Sequence, residues 1–197
     1  MNKRLLSLAV IGSMLLMAGV ASAGIPDDTT STASSAGGVV MITPSGAGAS
    51  LASAGATVTV TVLDVGSLPV ANYPFQDIWL DDTGDAAISL CQGGSAADAN
   101  TNASGVTTIG GVISGGGFTQ NTQVWIAGTP LAAAMTGTSP ALNSPDIDGS
   151  LGVDIVDFGT FGADFGSTQF RSDLVFDGVV DISDFGTFGT SFGQVCP

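Results

Sequence analysis

All 17 acidic residues of the chain are Asp, and eight of them fall in two short stretches near the C-terminus. They are Asp146, Asp148, Asp154 and Asp157, then Asp173, Asp177, Asp181 and Asp184. Carboxylates set this close repel one another unless a cation takes them up. The two stretches are copies: VDIVDFGTFGADFG (153–166) and VDISDFGTFGTSFG (180–193) are offset by 27 residues and agree at 11 of 14 positions. With Asp173 as position 1, carboxylates stand at 1, 5, 9 and 12 and Gly178 at 6. A hard cation such as Ca²⁺ takes six to eight oxygens, and a twelve-residue loop can supply them from positions 1, 3, 5, 9 and 12. Position 7 gives a backbone carbonyl, here that of Val179, and a Gly at position 6 makes the sharp turn. The first copy places Asp146, Asp148, Ser150, Asp154 and Asp157 at 1, 3, 5, 9 and 12, but has Leu151 at 6 and Gly152 one place late. The second has Val175, with no side-chain oxygen, at position 3. The expectation is up to two Ca²⁺ ions: one in a loop that turns well but lacks a ligand, one in a loop with its oxygens on a less favourable backbone. A merely solvated acidic surface is the competing reading.

Each loop runs into a Phe series, Phe158, Phe161 and Phe165, then Phe185, Phe188 and Phe192. Spacings of three and seven put each set on one helical face. Gly159, Gly162, Gly186 and Gly189 weaken those helices by about 1 kcal/mol each relative to Ala. The helices therefore need packing, and the simplest solution sets the two Phe faces against each other. Folding of residues 146–197 would then be coupled to metal binding.

Two such EF-hand-type loop–helix units, about 27 residues apart with Asp at position 12, resemble a type I dockerin. That resemblance implies a calcium-dependent module that plugs into a cohesin-like partner and attaches an exported protein to a scaffold. The positions dockerins use to read the partner, 10 and 11, carry Ile155-Val156 and Ile182-Ser183 here, and no Lys or Arg follows on either helix.

The preceding chain reads as strands. Thr57 to Leu63 alternates polar and apolar β-branched residues, the pattern of a half-buried strand. Further candidates are Val39–Thr43, Asp77–Leu80, Ala87–Cys91, Val106–Ile113 and Gln123–Ala127, with turns at Thr83-Gly84-Asp85, in the polar run 93–105 and at Gly115-Gly116-Gly117. Short strands with frequent Gly-rich turns predict an antiparallel sandwich over 39–135. Trp79 and Trp125 are expected as core or half-buried plugs, with an aromatic ligand platform as the lesser reading. The segments ATVTVTVLDVGSLPVANYPF and DANTNASGVTTIGG resemble bacterial Ig-like domains, which implies a spacer or binding module. Residues 24–38, rich in Gly, Ser and Thr, read as a flexible leader, and 136–145 as a linker.

Lys3 and Arg4, an apolar run from Leu5 to Val20, and Ala21-Ser22-Ala23 have the order of a secretory signal peptide over 1–23. Cleavage would leave no membrane span and only Arg171 as a basic residue. Export also makes a disulfide the simplest use of Cys91 and Cys196, with an intermolecular bridge as the rival. The inventory narrows function further. There is no His, and three Lys and Arg stand against 17 Asp, so His chemistry and a basic nucleic-acid surface are excluded. No catalytic constellation is visible. The reading is an exported, non-enzymatic protein, secreted or at the cell surface, that attaches to a protein partner through a calcium-stabilised module. The alternatives are a self-assembling subunit of a surface layer or filament and, more remotely, a carbohydrate-binding accessory protein.

Overall fold

The computed structural model describes residues 24–83 and 87–197, so the signal-peptide segment 1–23 lies outside the described residues. The fold is mainly β with two helices. In chain order the strands are β1 (Thr32–Ser35), β2 (Val39–Met41), β3 (Val58–Thr61), β4 (Ile78–Asp82), β5 (Ile88–Leu90) and β6 (Val106–Ile109). They continue as β7 (Gly115–Gly117), β8 (Thr122–Ile126), β9 (Thr129–Pro130), β10 (Thr136–Gly137) and β11 (Ala141–Asn143). The helices follow, α1 (Ile155–Asp164) and α2 (Ile182–Ser191).

Strand alternation builds the core as expected. Val58 and Val60 of β3 point inward while Thr59 is exposed. Ile78 and Leu80 of β4 and Val124 and Ile126 of β8 do the same, leaving Trp79 and Trp125 half-buried on the other side. The sheets run β10-β1-β3-β6, β11-β2, β4-β8-β9 and β5-β7, and their inward residues meet in one apolar cluster.

Four expectations need correction. Residues 24–38 are not simply a flexible leader, because β1 lies between β10 and β3. Small residues are no obstacle there: Ser31 exchanges hydrogen bonds with the backbone of Leu63, and Ala33 is buried. Nor is 136–145 a linker, since β10 and β11 pair with β1 and β2. Both pairings are parallel, against the antiparallel pattern expected. Finally, Gly115–Gly117 forms β7, paired with β5, instead of a turn.

Residues 146–197 form a second apolar cluster of Ile147, Val153, Phe161, Leu174, Val180 and Phe188, with Met41 of β2 packed against it. Each residue has its counterpart 27 places on. Phe161 and Phe188 stack with ring centroids 5.4 Å apart, as the Phe spacing predicts. The copies also clasp reciprocally. Gly193, after α2, donates to Val153 O in loop 1 (146–157), and Gly166, after α1, donates to Val180 O in loop 2 (173–184), both at 2.8 Å.

The Cys91–Cys196 disulfide joins the chain's end to the residue following β5, across 105 positions. In the chain-entropy account a loop of that length stabilises by about 4–5 kcal/mol.

Candidate metal centre

Two carboxylate triads lie at equivalent places in the repeat: Asp146, Asp148 and Asp157, and Asp173, Asp177 and Asp184, each with ligand oxygens within 4.8 Å of one another. Either could hold a metal ion. The donors are all oxygen, which suits a hard cation.

The position-1 Asp organises each turn. Asp146 accepts the backbone N–H of Ser150 at 3.0 Å and of Leu151 at 2.8 Å. Asp173 accepts those of Asp177 at 3.2 Å and Gly178 at 2.9 Å, the same two loop positions. The position-12 Asp reaches back from the helix. Asp157 accepts from the N–H of Asp148 (3.1 Å) and of Asp154 (2.9 Å). Asp184 accepts from Leu174 (2.7 Å), Val175 (2.9 Å) and Asp181 (2.9 Å). Asp146, Asp157 and Asp184 are wholly buried, and Asp173 nearly so.

The third carboxylate differs. It is Asp148 at position 3 in loop 1 and Asp177 at position 5 in loop 2. The expected position-9 ligands stand outside both triads. Asp154 and Asp181 cap the helices, each accepting an N–H at 2.7 Å, from Val156 and Ser183, in reciprocal capping boxes with Asp157 and Asp184. Such caps are worth about 1 kcal/mol each. Ser150 sits at the rim, its hydroxyl 3.4 Å from Asp146 Oδ1. Val179 is exposed, and its N–H donates to Asp177 Oδ1 at 3.0 Å.

Burial and the neighbouring Asp157 push the Asp146 carboxyl up to about 6, against an ordinary 3.8. Burial likewise raises Asp157. A cation between them would remove both penalties. Asp164, at the C-terminal end of α1, runs the other way. Arg171 grips it with two hydrogen bonds of 2.7 and 2.9 Å and Ser172 adds a third, which holds its carboxyl below the usual range.

Sequence reasoning missed what surrounds the loops. Gly116 of β7 lies against Asp146, so that a Cβ there would run into the carboxylate. Gly117 N–H donates to Asp146 O at 2.6 Å. The Asn143 side-chain amide of β11 donates to Asp173 O at 2.9 Å and to Phe170 O. Loop 1 thus has a wall from the β part, and loop 2 is tethered to it. Three consecutive glycines beside a strand were the only sequence trace of that wall.

Set against known proteins, the chain matches no family model, no curated protein and no solved structure. Among the described residues, no helix is long and apolar enough to cross a membrane.

Proposed function

We propose that the protein is an exported, non-enzymatic attachment protein whose C-terminal unit is a dockerin-like module holding up to two Ca²⁺ ions, carried on an Ig-like β domain. The observation that carries this reading is the repetition, in two loop–helix units, of a carboxylate triad with buried Asp at positions 1 and 12 and a third, exposed Asp between them. Asp146, Asp148 and Asp157 would hold one ion, and Asp173, Asp177 and Asp184 the other. Carboxylate and carbonyl oxygens in an irregular loop favour Ca²⁺ over Mg²⁺, which demands a tight octahedron and keeps its waters.

The attachment surface would be the helices' outer face. Ile155, Val156 and Phe158 on α1 and Ile182 and Phe185 on α2 are exposed. They start both helices, so the ions that fix the loops would also fix this face. A cohesin-like partner is one occupant. A second copy of the chain, as in a surface layer or filament, is the other reading, favoured by so much exposed apolar surface in one place.

The test is calorimetric titration of Ca²⁺ into the metal-stripped chain, with circular dichroism and light scattering on the same samples. About two ions bound with a gain of helix are expected. Scattering that rises with calcium would move the reading to self-assembly. Absence of heat and of structural change at millimolar Ca²⁺ would end the calcium reading.

A further inference from the structure

The outer face of the β4–β8 pair carries chemistry that the Asp loops do not use. Trp79 and Trp125 are cross-strand partners, and their rings lie 6.2 Å apart and 17° from parallel. Trp79 lines an open cleft of about 260 Å³ together with Gln76, Asp81, Leu90, Ser95 and Gly94. The indole is braced: Trp125 packs beside it, and its Nε1–H donates to Asp81 Oδ2 at 3.3 Å. The backbone of Trp79 also bridges to that of Ala96, another lining residue. A ring fixed in this way loses little freedom when it takes a ligand.

The lining selects the ligand's chemistry. A flat indole needs an apolar face to cover it. Asp81, Gln76 and Ser95 offer acceptors, an amide and a hydroxyl around that face. Burial pushes the Asp81 carboxyl up, opposed by the N–H groups of Asp82 and Trp79. Among the described residues no cationic side chain lines the cleft, so a phosphate or an acidic sugar would meet Asp81 without a counter-charge. A quaternary ammonium wants aromatic walls set around it, whereas Trp79 is the one aromatic side chain among the cleft's lining residues. A volume just under the roughly 300 Å³ at which drug-sized pockets begin suits one sugar ring.

We propose that this cleft binds one pyranose unit of a neutral saccharide, with an apolar ring face on Trp79 and hydroxyls bonded to Asp81, Gln76 and Ser95. None of the triad carboxylates lines the cleft, so the proposal does not rest on the calcium reading.

The experiment titrates the full chain with neutral hexasaccharides of glucose, xylose, mannose and galactose, by tryptophan fluorescence and calorimetry. It is run in calcium and again in chelator, with choline as a competitor. At least one hexasaccharide should bind in both conditions, unmoved by choline. Trp79→Ala should weaken binding about tenfold or more, the loss of one good stacking contact. Gln76 is exposed, so Gln76→Ala should keep the wild-type melting temperature and weaken binding a few-fold. It carries the test should Trp79→Ala unfold. No binding at millimolar sugar overturns the proposal, as does undiminished binding by both variants, or choline binding in place of sugar.

Discussion

The two Asp loops share a backbone but not a residue pattern. Both put two residues in the left-handed region, at positions 4 and 6. In loop 1 these are Gly149 (φ 69°) and Leu151 (φ 69°); in loop 2 they are Phe176 (φ 61°) and Gly178 (φ 91°). Each loop therefore has one glycine where the conformation wants two, and the copies keep opposite ones. The third carboxylate has moved as well, from position 3 to position 5. What the two loops keep are the buried Asp at positions 1 and 12, the capping Asp at 9, Val at 8, Ile at 10 and an apolar residue at 2. They gather the loop's N–H groups and fill its floor, which is enough to hold the shape. The comparison teaches that the anchors define such a loop, while the glycine and the outer ligand can migrate.

Removing an anchor should break the comparison most severely. Asp184→Ala strips the acceptor from three backbone N–H groups, two of them at the loop's start, and takes a carboxylate from the triad. Unsatisfied buried donors cost about 1–3 kcal/mol each, so a loss of about 3–5 kcal/mol in calcium is expected. Asp157→Ala, with two such N–H groups, should cost slightly less. Thermal melts with calcium decide it. A change under about 1 kcal/mol for either variant would mean that the anchors do not hold the loops.

The β part distinguishes the copies. Gly116→Ala would press a methyl group on Asp146, and overpacking of this kind costs about 1–3 kcal/mol. Calcium titration of the variant should lose or weaken one of two sites and leave the other. If both sites weaken equally, or neither does, the wall does not belong to loop 1 alone.

Protonation gives a third contrast. In the metal-free protein the Asp146 pKa stands at about 6, above its ordinary 3.8. A raised carboxyl favours the folded state below the ordinary value, and that contribution is lost as pH rises through 6. Metal-free stability should therefore fall between pH 4 and 6, while calcium binding at loop 1 strengthens over the same interval. The Asp164–Arg171 pair acts outside this window. The lowered Asp164 pKa keeps its contribution above 3.8, and it is lost only as pH falls further. Melts at intervals of half a pH unit, with and without calcium, would show the opposed slopes; parallel slopes would remove Asp146 from the account.

Much of the candidate site was legible because its candidate ligands are written at fixed spacing. Asp146, Asp148, Asp157, Asp173, Asp177 and Asp184 could all be read off, as could the Phe161–Phe188 contact. The division of labour among the carboxylates was not. Asp154 and Asp181 fit a ligand position and a helix cap equally well by spacing, and only backbone geometry shows them capping. The strands with alternating Val and Thr were legible too. β1, β7, β10 and β11 were hidden because small residues and glycines carry no hydrophobic period, and their pairing is decided by distant partners. The walls of loop 1 and loop 2 come from β7 and β11, so these were hidden for the same reason.

The smallest effects test whether position 6 and the helices are tuned for stability. A Cβ at Gly178 meets nothing within 4 Å, so Gly178→Ala isolates the cost of the left-handed backbone, about 1–2 kcal/mol. Gly149→Ala should cost at least as much, because its Cβ would also come 3.1 Å from Ser89 Oγ. The helical glycines 159, 162, 186 and 189 are equally open, but without positive φ. Each change to Ala there should stabilise by about 0.5–1 kcal/mol. Those gains should be equal in the two copies, since no neighbour distinguishes them. If the Gly→Ala series instead leaves stability unchanged but abolishes attachment, these glycines keep the outer face low for the partner to approach, and the helices have remained weak for that reason.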